Sequence, residues 1–166
     1  MSFKLGSINN RAVLLSEDKY YDLETVSENK LSYKTSEALL NIDLINHLNE
    51  NLNDLEASGS LEGVVFDSPV SEPKNCYAVG LNYRNHAEEA GMQIPEVPMI
   101  FTKHTTCLVG ASADIEMRSN YVDYEAELVV VIGKKGKNIT QQDAWSYVAG
   151  VCIGQDISDR PAQFAA

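Results

Sequence analysis

The chain has 166 residues, enough for one domain or for a small domain with part of another. A composition that is 44% hydrophobic and 22% charged excludes a disordered or collagen-like chain, and no apolar stretch approaches the roughly 18 residues a membrane-spanning helix needs. Thirteen Lys plus Arg against twenty-four Asp plus Glu give a net charge of −11, which repels nucleic acid and anionic membrane surfaces alike.

The acidity either keeps the chain in solution or marks carboxylates that bind a cation. Cys76, Cys107 and Cys152 are odd in number and far apart, without a CxxC pair, so neither a disulfide framework nor a zinc site is expected. The N-terminal MSFKLGSINNR has no apolar core of a secretory signal, and a reducing, cytoplasmic setting follows as the expectation.

Residues 1–72 read as a small α+β unit. Ala12 to Leu15 and Tyr20 to Val26 are strand-like around the polar turn Ser16 to Lys19. Leu44, Leu48, Leu52 and Leu55, with Ile45, recur at helical spacing, and Ser58-Gly59 stops that helix. His47 lies off the leucine stripe and faces solvent. Gly63 to Phe66 forms a further strand. Nothing in this unit points to chemistry. Pro69 to Asn75 is a polar, proline-bearing connector, and a second unit occupies residues 73–166.

In the second unit Tyr77 to Gly80 is a short strand. A helix capped by Asn82 follows and ends at Gly91. Met99 to Lys103 is a strand and Val122 to Ile132 a long one. Lys134 to Asn138 forms a basic turn, Thr140 and Asp143 open a helix that Gly150 ends, and Val151 to Ile157 is the last strand.

On the strand Val122 to Ile132, Asp123, Glu125 and Glu127 share one face, while the apolar residues beyond them predict burial on both faces. Paired carboxylates in such a place repel each other. Either a cation resolves the conflict or the pair lies on the wet face of an edge strand. His86 and Glu89, three apart, are neighbours on a helix, and a carboxylate beside an imidazole raises its basicity. The plain alternative is an incidental exposed pair. Asp156, at a strand end, is either a third oxygen ligand or a turn residue paired with an arginine.

Four blocks, GLNYRNHAEEAG, MIFTKHTTCLVG, VDYEAELVVVIGK and YVAGVCIGQDISDR, resemble in order and spacing the fumarylacetoacetate hydrolase family over roughly residues 74 to 164. The resemblance is to bacterial-type members with a small N-terminal cap domain. It implies an α+β chain in which that cap precedes the first part of a mixed β-sandwich roll, with the catalytic domain incomplete. It implies that Glu125, Glu127 and Asp156 hold Mg2+ or Mn2+, that His86 and Glu89 form a base, and that Lys103 contacts substrate. Tyr83 is given packing and no catalytic role. His104 and Pro161 depart from the family pattern, which has a proline and an acidic residue there.

The implied activity is hydrolysis of a C–C bond in a 2-oxo or 1,3-diketo acid such as an acylpyruvate, the metal stabilising an enolate. Isomerase, hydratase or oxaloacetate decarboxylase chemistry is the alternative within the family, and a non-catalytic, truncated metal-binding fragment the alternative outside it. A small oxo acid is the expected partner, and a homodimer is expected if the domain is complete.

Overall fold

A computed structural model of the chain describes residues 2–89, 91–163 and 165. The chain starts with three antiparallel strands, β1 (Leu5–Ile8), β2 (Arg11–Ser16) and β3 (Lys19–Asp22). Asn9 and Asn10 make the β1–β2 turn with φ of 53° and 60°, a left-handed pair that asparagine tolerates better than most residues. Helix α1 (Leu23–Val26) follows at once, then α2 (Thr35–Ala38), α3 (Ile42–Glu50) and a short fourth strand β4 (Gly59–Ser60), giving the sheet order β1-β2-β3-β4.

The core of the described residues sits here. Ala12, Leu14, Tyr21, Leu23, Leu31, Ala38, Leu39, Ile45 and Leu48 form one buried cluster. Leu44, Leu52 and Leu55 pack against it, so the leucine stripe points inward as its spacing requires, and His47 is exposed.

Three readings of this part are corrected. The strand expected from Tyr20 to Val26 stops at Asp22, because the Asp22 carboxylate accepts the Thr25 amide at 3.0 Å and caps α1. Helix α3 ends at Glu50, and residues beyond it continue as a 3-10 turn rather than to Ser58. Gly63 to Phe66 is no strand. It runs as a strap whose Phe66 ring lies over Gly6, and the Asp67 amide bonds the Ser7 carbonyl at 3.0 Å.

The rest of the chain forms antiparallel ribbons. Strand β5 (Cys76–Gly80) leads through α4 (Arg84–Glu89) to β6 (Met99–Lys103), and β5 pairs with β6 from Cys76 opposite Lys103 to Gly80 opposite Met99. Strand β7 (Val122–Asp123) precedes β8 (Ala126–Ile132), which pairs with β9 (Val148–Gln155), while β10 (Ser158–Asp159) returns to β7 and opens into α5 (Arg160–Gln163). Val131 and Ala149, at the far end of the β8–β9 ribbon, pack against the N-terminal core and anchor the ribbon there.

The expected strand from Val122 to Ile132 is broken at Tyr124 and Glu125. The expected burial of its apolar end is also corrected. Leu128, Val129, Val130 and Ile132 are exposed, since among the described residues β8 has β9 beside it and no layer over its faces. The helix expected from Thr140 is a 3-10 turn over Ala144–Tyr147. The Thr140 hydroxyl does bond Asp143, at 2.7 Å, but the chain enters β9 at Val148, so Gly150 lies inside a strand. No helix among the described residues is long and apolar enough to cross a membrane.

Candidate metal and active site

Helix α4 carries His86. It is anchored by Ala87, whose side chain is fully buried, and closed by Gly91 at φ 63°. The Gly91 amide bonds the Glu88 carbonyl and the Met92 amide the Ala87 carbonyl, the paired bonds of a Schellman stop, as expected of that glycine. The helix directs His86 at the strand break: Nε2 lies 3.9 Å from Glu125 Oε1. Glu89 is exposed, and among the described residues it makes no hydrogen bond or ion pair with His86. The imidazole therefore faces a carboxylate across the site rather than one on its own helix.

The Glu125 backbone ties two of the candidate ligands together, because its carbonyl accepts the Asp156 amide at 2.9 Å. The register of β8 on β9 puts Glu127 opposite Gly154 and Ala126 opposite Gln155, so Asp156 follows just beyond the ladder. Lys103, at the end of β6, reaches in from the other ribbon, and its Nζ donates to Asp156 Oδ1 at 2.6 Å. The same ammonium lies 5.4 Å from the centre of the Phe101 ring.

Burial raises the Glu127 carboxyl above its ordinary range, and the neighbouring charges of Glu125 and Asp156 push it the same way. His86 and Lys103 pull it back down. Five of the six residues singled out in the sequence thus act on one another in this neighbourhood, and Glu89 is the one left outside.

One residue outside the predicted set joins the site. Arg160 donates to Asp123 at 2.7 and 3.1 Å and to Glu125 at 2.8 Å. The guanidinium holds the Asp123 carboxyl below the usual range, and the two carboxylates in turn raise the guanidinium's own proton affinity. The available signal was a single arginine after the QDIS block, facing an acid-rich block. From sequence alone it reads only as a local partner for an aspartate.

The donor set fits a hard divalent cation. It is all carboxylate oxygen, and burial together with the charges of Glu125 and Asp156 works against the charged form of Glu127. As placed, however, no three His, Cys, Asp or Glu side chains among the described residues converge with metal-holding geometry. Lys103 and Arg160 take up oxygens of Asp156 and Glu125 instead.

The family model described as fumarylacetoacetate (FAA) hydrolase C-terminal matches residues 75–166. The chain is 42% identical, over 60% of its length and 33% of the relative's, to the mitochondrial oxaloacetate tautomerase Fahd2a of Rattus norvegicus. A crystal structure of a candidate HpcE protein from Mycobacterium smegmatis superposes with a TM-score of 0.85 at 33% identity, covering 98% of this chain and 57% of that one. Maleylpyruvate hydrolase from Sphingobium sp. SYK-6, solved with manganese(II) and pyruvate, shares the fold at a TM-score of 0.74 and 19% identity, over 94% of this chain and 59% of that one. The match spans about a third of the length of the curated relatives. Members of this group include hydrolases, isomerases and oxaloacetate tautomerases. With more than half of its residues inside the family model, the chain belongs to the fumarylacetoacetate hydrolase family.

Proposed function

We propose that the chain is part of a divalent-metal-dependent enzyme that hydrolyses a C–C bond in a 2-oxo or 1,3-diketo acid. The observation that carries the reading is geometric: His86 lies 3.9 Å from Glu125, Lys103 2.6 Å from Asp156, the Asp156 amide bonds the Glu125 carbonyl, and Glu127 pairs opposite Gly154 two residues before Asp156. Glu125, Glu127 and Asp156 are the ligands in this reading, and Mg2+ or Mn2+ the ion. Bound there, the ion supplies positive charge to a ketone oxygen that gains negative charge during reaction.

The side chains do the rest. His86, held by α4, takes the proton of an attacking water at Nε2 while the water oxygen bonds to the carbonyl carbon. When the C–C bond breaks, its electron pair goes to the departing carbon, which receives a proton. Glu125 Oε1, 3.9 Å from Nε2, is the carboxylate oxygen the imidazole faces across the site. Lys103 offers an ammonium donor to the substrate carboxylate at the rim of the same cluster. Glu89 acts in this reading only if its side chain turns along α4 toward His86.

The identity to an oxaloacetate tautomerase favours a second reading, in which the chemistry stops at proton transfer. His86 would then move a proton between carbon and oxygen, and no bond between carbons would break.

Turnover separates the two. The full protein is given an acylpyruvate and, separately, oxaloacetate, each with Mn2+ and with EDTA. Pyruvate release from the acylpyruvate, lost with EDTA and reduced at least about 100-fold in His86→Ala, is the expected result. Ketonisation of oxaloacetate without any acylpyruvate cleavage would select the second reading. Equal rates from wild type and His86→Ala on both substrates would contradict both.

A further inference from the structure

Arg160 has a seat with two sides. Its Nη2 donates to Glu125 Oε1 at 2.8 Å and to Asp123 Oδ2 at 2.7 Å, its Nε donates to the same Asp123 oxygen at 3.1 Å, and its Nη1 donates to Gln163 Oε1 at 3.0 Å. The Arg160 backbone amide bonds the Tyr121 carbonyl at 3.2 Å, which fixes the root of the side chain beside β7. Only one of the four side-chain bonds involves Glu125. Asp123 is the more exposed of the two carboxylates, at 49% against 25% for Glu125.

A guanidinium cannot give up its charge in a protein. A cation that takes Glu125 as a ligand therefore meets a fixed positive charge on the same carboxylate. The conflict cannot be relieved by losing a proton and has to be relieved by movement. The other three bonds show where the guanidinium stays: on Asp123 and Gln163. Lys103 differs, since its ammonium has a single acceptor, Asp156, in the cluster.

We propose that Arg160 is an internal counter-ion and positioning residue of the carboxylate cluster, which holds Glu125 and Asp123 together when no metal is bound and is displaced onto Asp123 and Gln163 when a divalent cation takes Glu125. The inference rests on the metal reading above. The exchange replaces one positive charge by two at Glu125. A monovalent ion gains nothing from it, so Arg160 sets both the threshold concentration and the preference for divalent ions. Asp123 is the anchor that makes the displacement affordable.

Calorimetric titration of the full protein with Mn2+, paired with ion-free melting curves, tests this. Arg160→Gln should bind Mn2+ about tenfold more tightly than wild type while melting at a lower temperature without the ion. Asp123→Asn leaves the guanidinium with Glu125 as its only carboxylate, and should bind about tenfold more weakly. A merely structural role would weaken binding in both variants, so opposite signs are the signature. Equal or weaker binding by Arg160→Gln, or unchanged binding by Asp123→Asn, would overturn the inference. Glu127→Gln separates this from failure of the metal reading. If wild type takes up no Mn2+, or if Glu127→Gln takes it up as wild type does, the ion does not use this cluster and both proposals fall.

Discussion

Lys103 Nζ and Asp156 Oδ1 lie 2.6 Å apart, and this single bond joins the end of β6 to the turn after β9. The two residues belong to ribbons that share no strand pairing among the described residues. Their side chains are 31% and 18% exposed, so the pair is screened less than a surface ion pair. Lys103→Met keeps the apolar stem near Phe101 and removes the charge. It should cost about 1 kcal/mol in urea unfolding of the ion-free protein. An unchanged midpoint would show that the two ribbons are held by something else.

Asp22 offers a test of the N-terminal unit by pH. Burial alone would raise its carboxyl, but hydrogen bonds from Arg11 and from the amide and hydroxyl of Thr25 outweigh burial and hold it below the usual range. A carboxyl depressed in the folded state contributes stability that is present above its unfolded pKa and is lost as pH falls through the folded value. Asp22→Asn should therefore cost about 1 kcal/mol at pH 7, and the difference from wild type should vanish in acid below the carboxylate range. A difference that stays constant with pH would mean that the cap, not the ion pair, carries the effect.

Gly110 tests how the N-terminal strap meets the second unit. A Cβ there would fall 2.3 Å from the Phe66 carbonyl oxygen and 3.2 Å from the Asp67 Cα, both backbone atoms. Gly110→Ala has to push one segment off the other and should cost about 1–3 kcal/mol in a thermal melt. Gly91→Ala meets open space but a φ of 63°, and should cost about 1 kcal/mol. Equal melting of Gly110→Ala and wild type would show that the strap is not seated as described.

What the sequence disclosed depended on whether the signal was local. Strands β5 and β6 and the stop at Gly91 were legible because alternation and a glycine at the helix end are local signals. The strand read into Leu23 to Val26 failed because one side chain, Asp22, outweighed the β-forming residues after it. The Thr140–Asp143 contact formed, yet Val148 and the residues after it found a partner strand and ended the helix before it began.

The site shows the same division. The carboxylates and His86 were legible from residue type and motif. The break at Tyr124 and Glu125 was not, because the alternating pattern runs through it without a glycine or proline. That break turns the carbonyl of Glu125 to Asp156, and no periodicity in either block reports a bond between them. Arg160 escaped for a related reason: its partners Asp123 and Glu125 lie 37 and 35 residues away in sequence.

The most direct test of the account is where a metal goes. Crystals of the full protein, soaked in Mn2+ and measured at the manganese absorption edge, should show one anomalous peak bounded by carboxylate oxygens of Glu125, Glu127 and Asp156 at about 2.0–2.3 Å. The Lys103 and Arg160 side chains should have left Asp156 and Glu125 in the same map. A peak away from these three residues, or no peak at saturating Mn2+, would contradict the central claim that this carboxylate cluster is the metal centre.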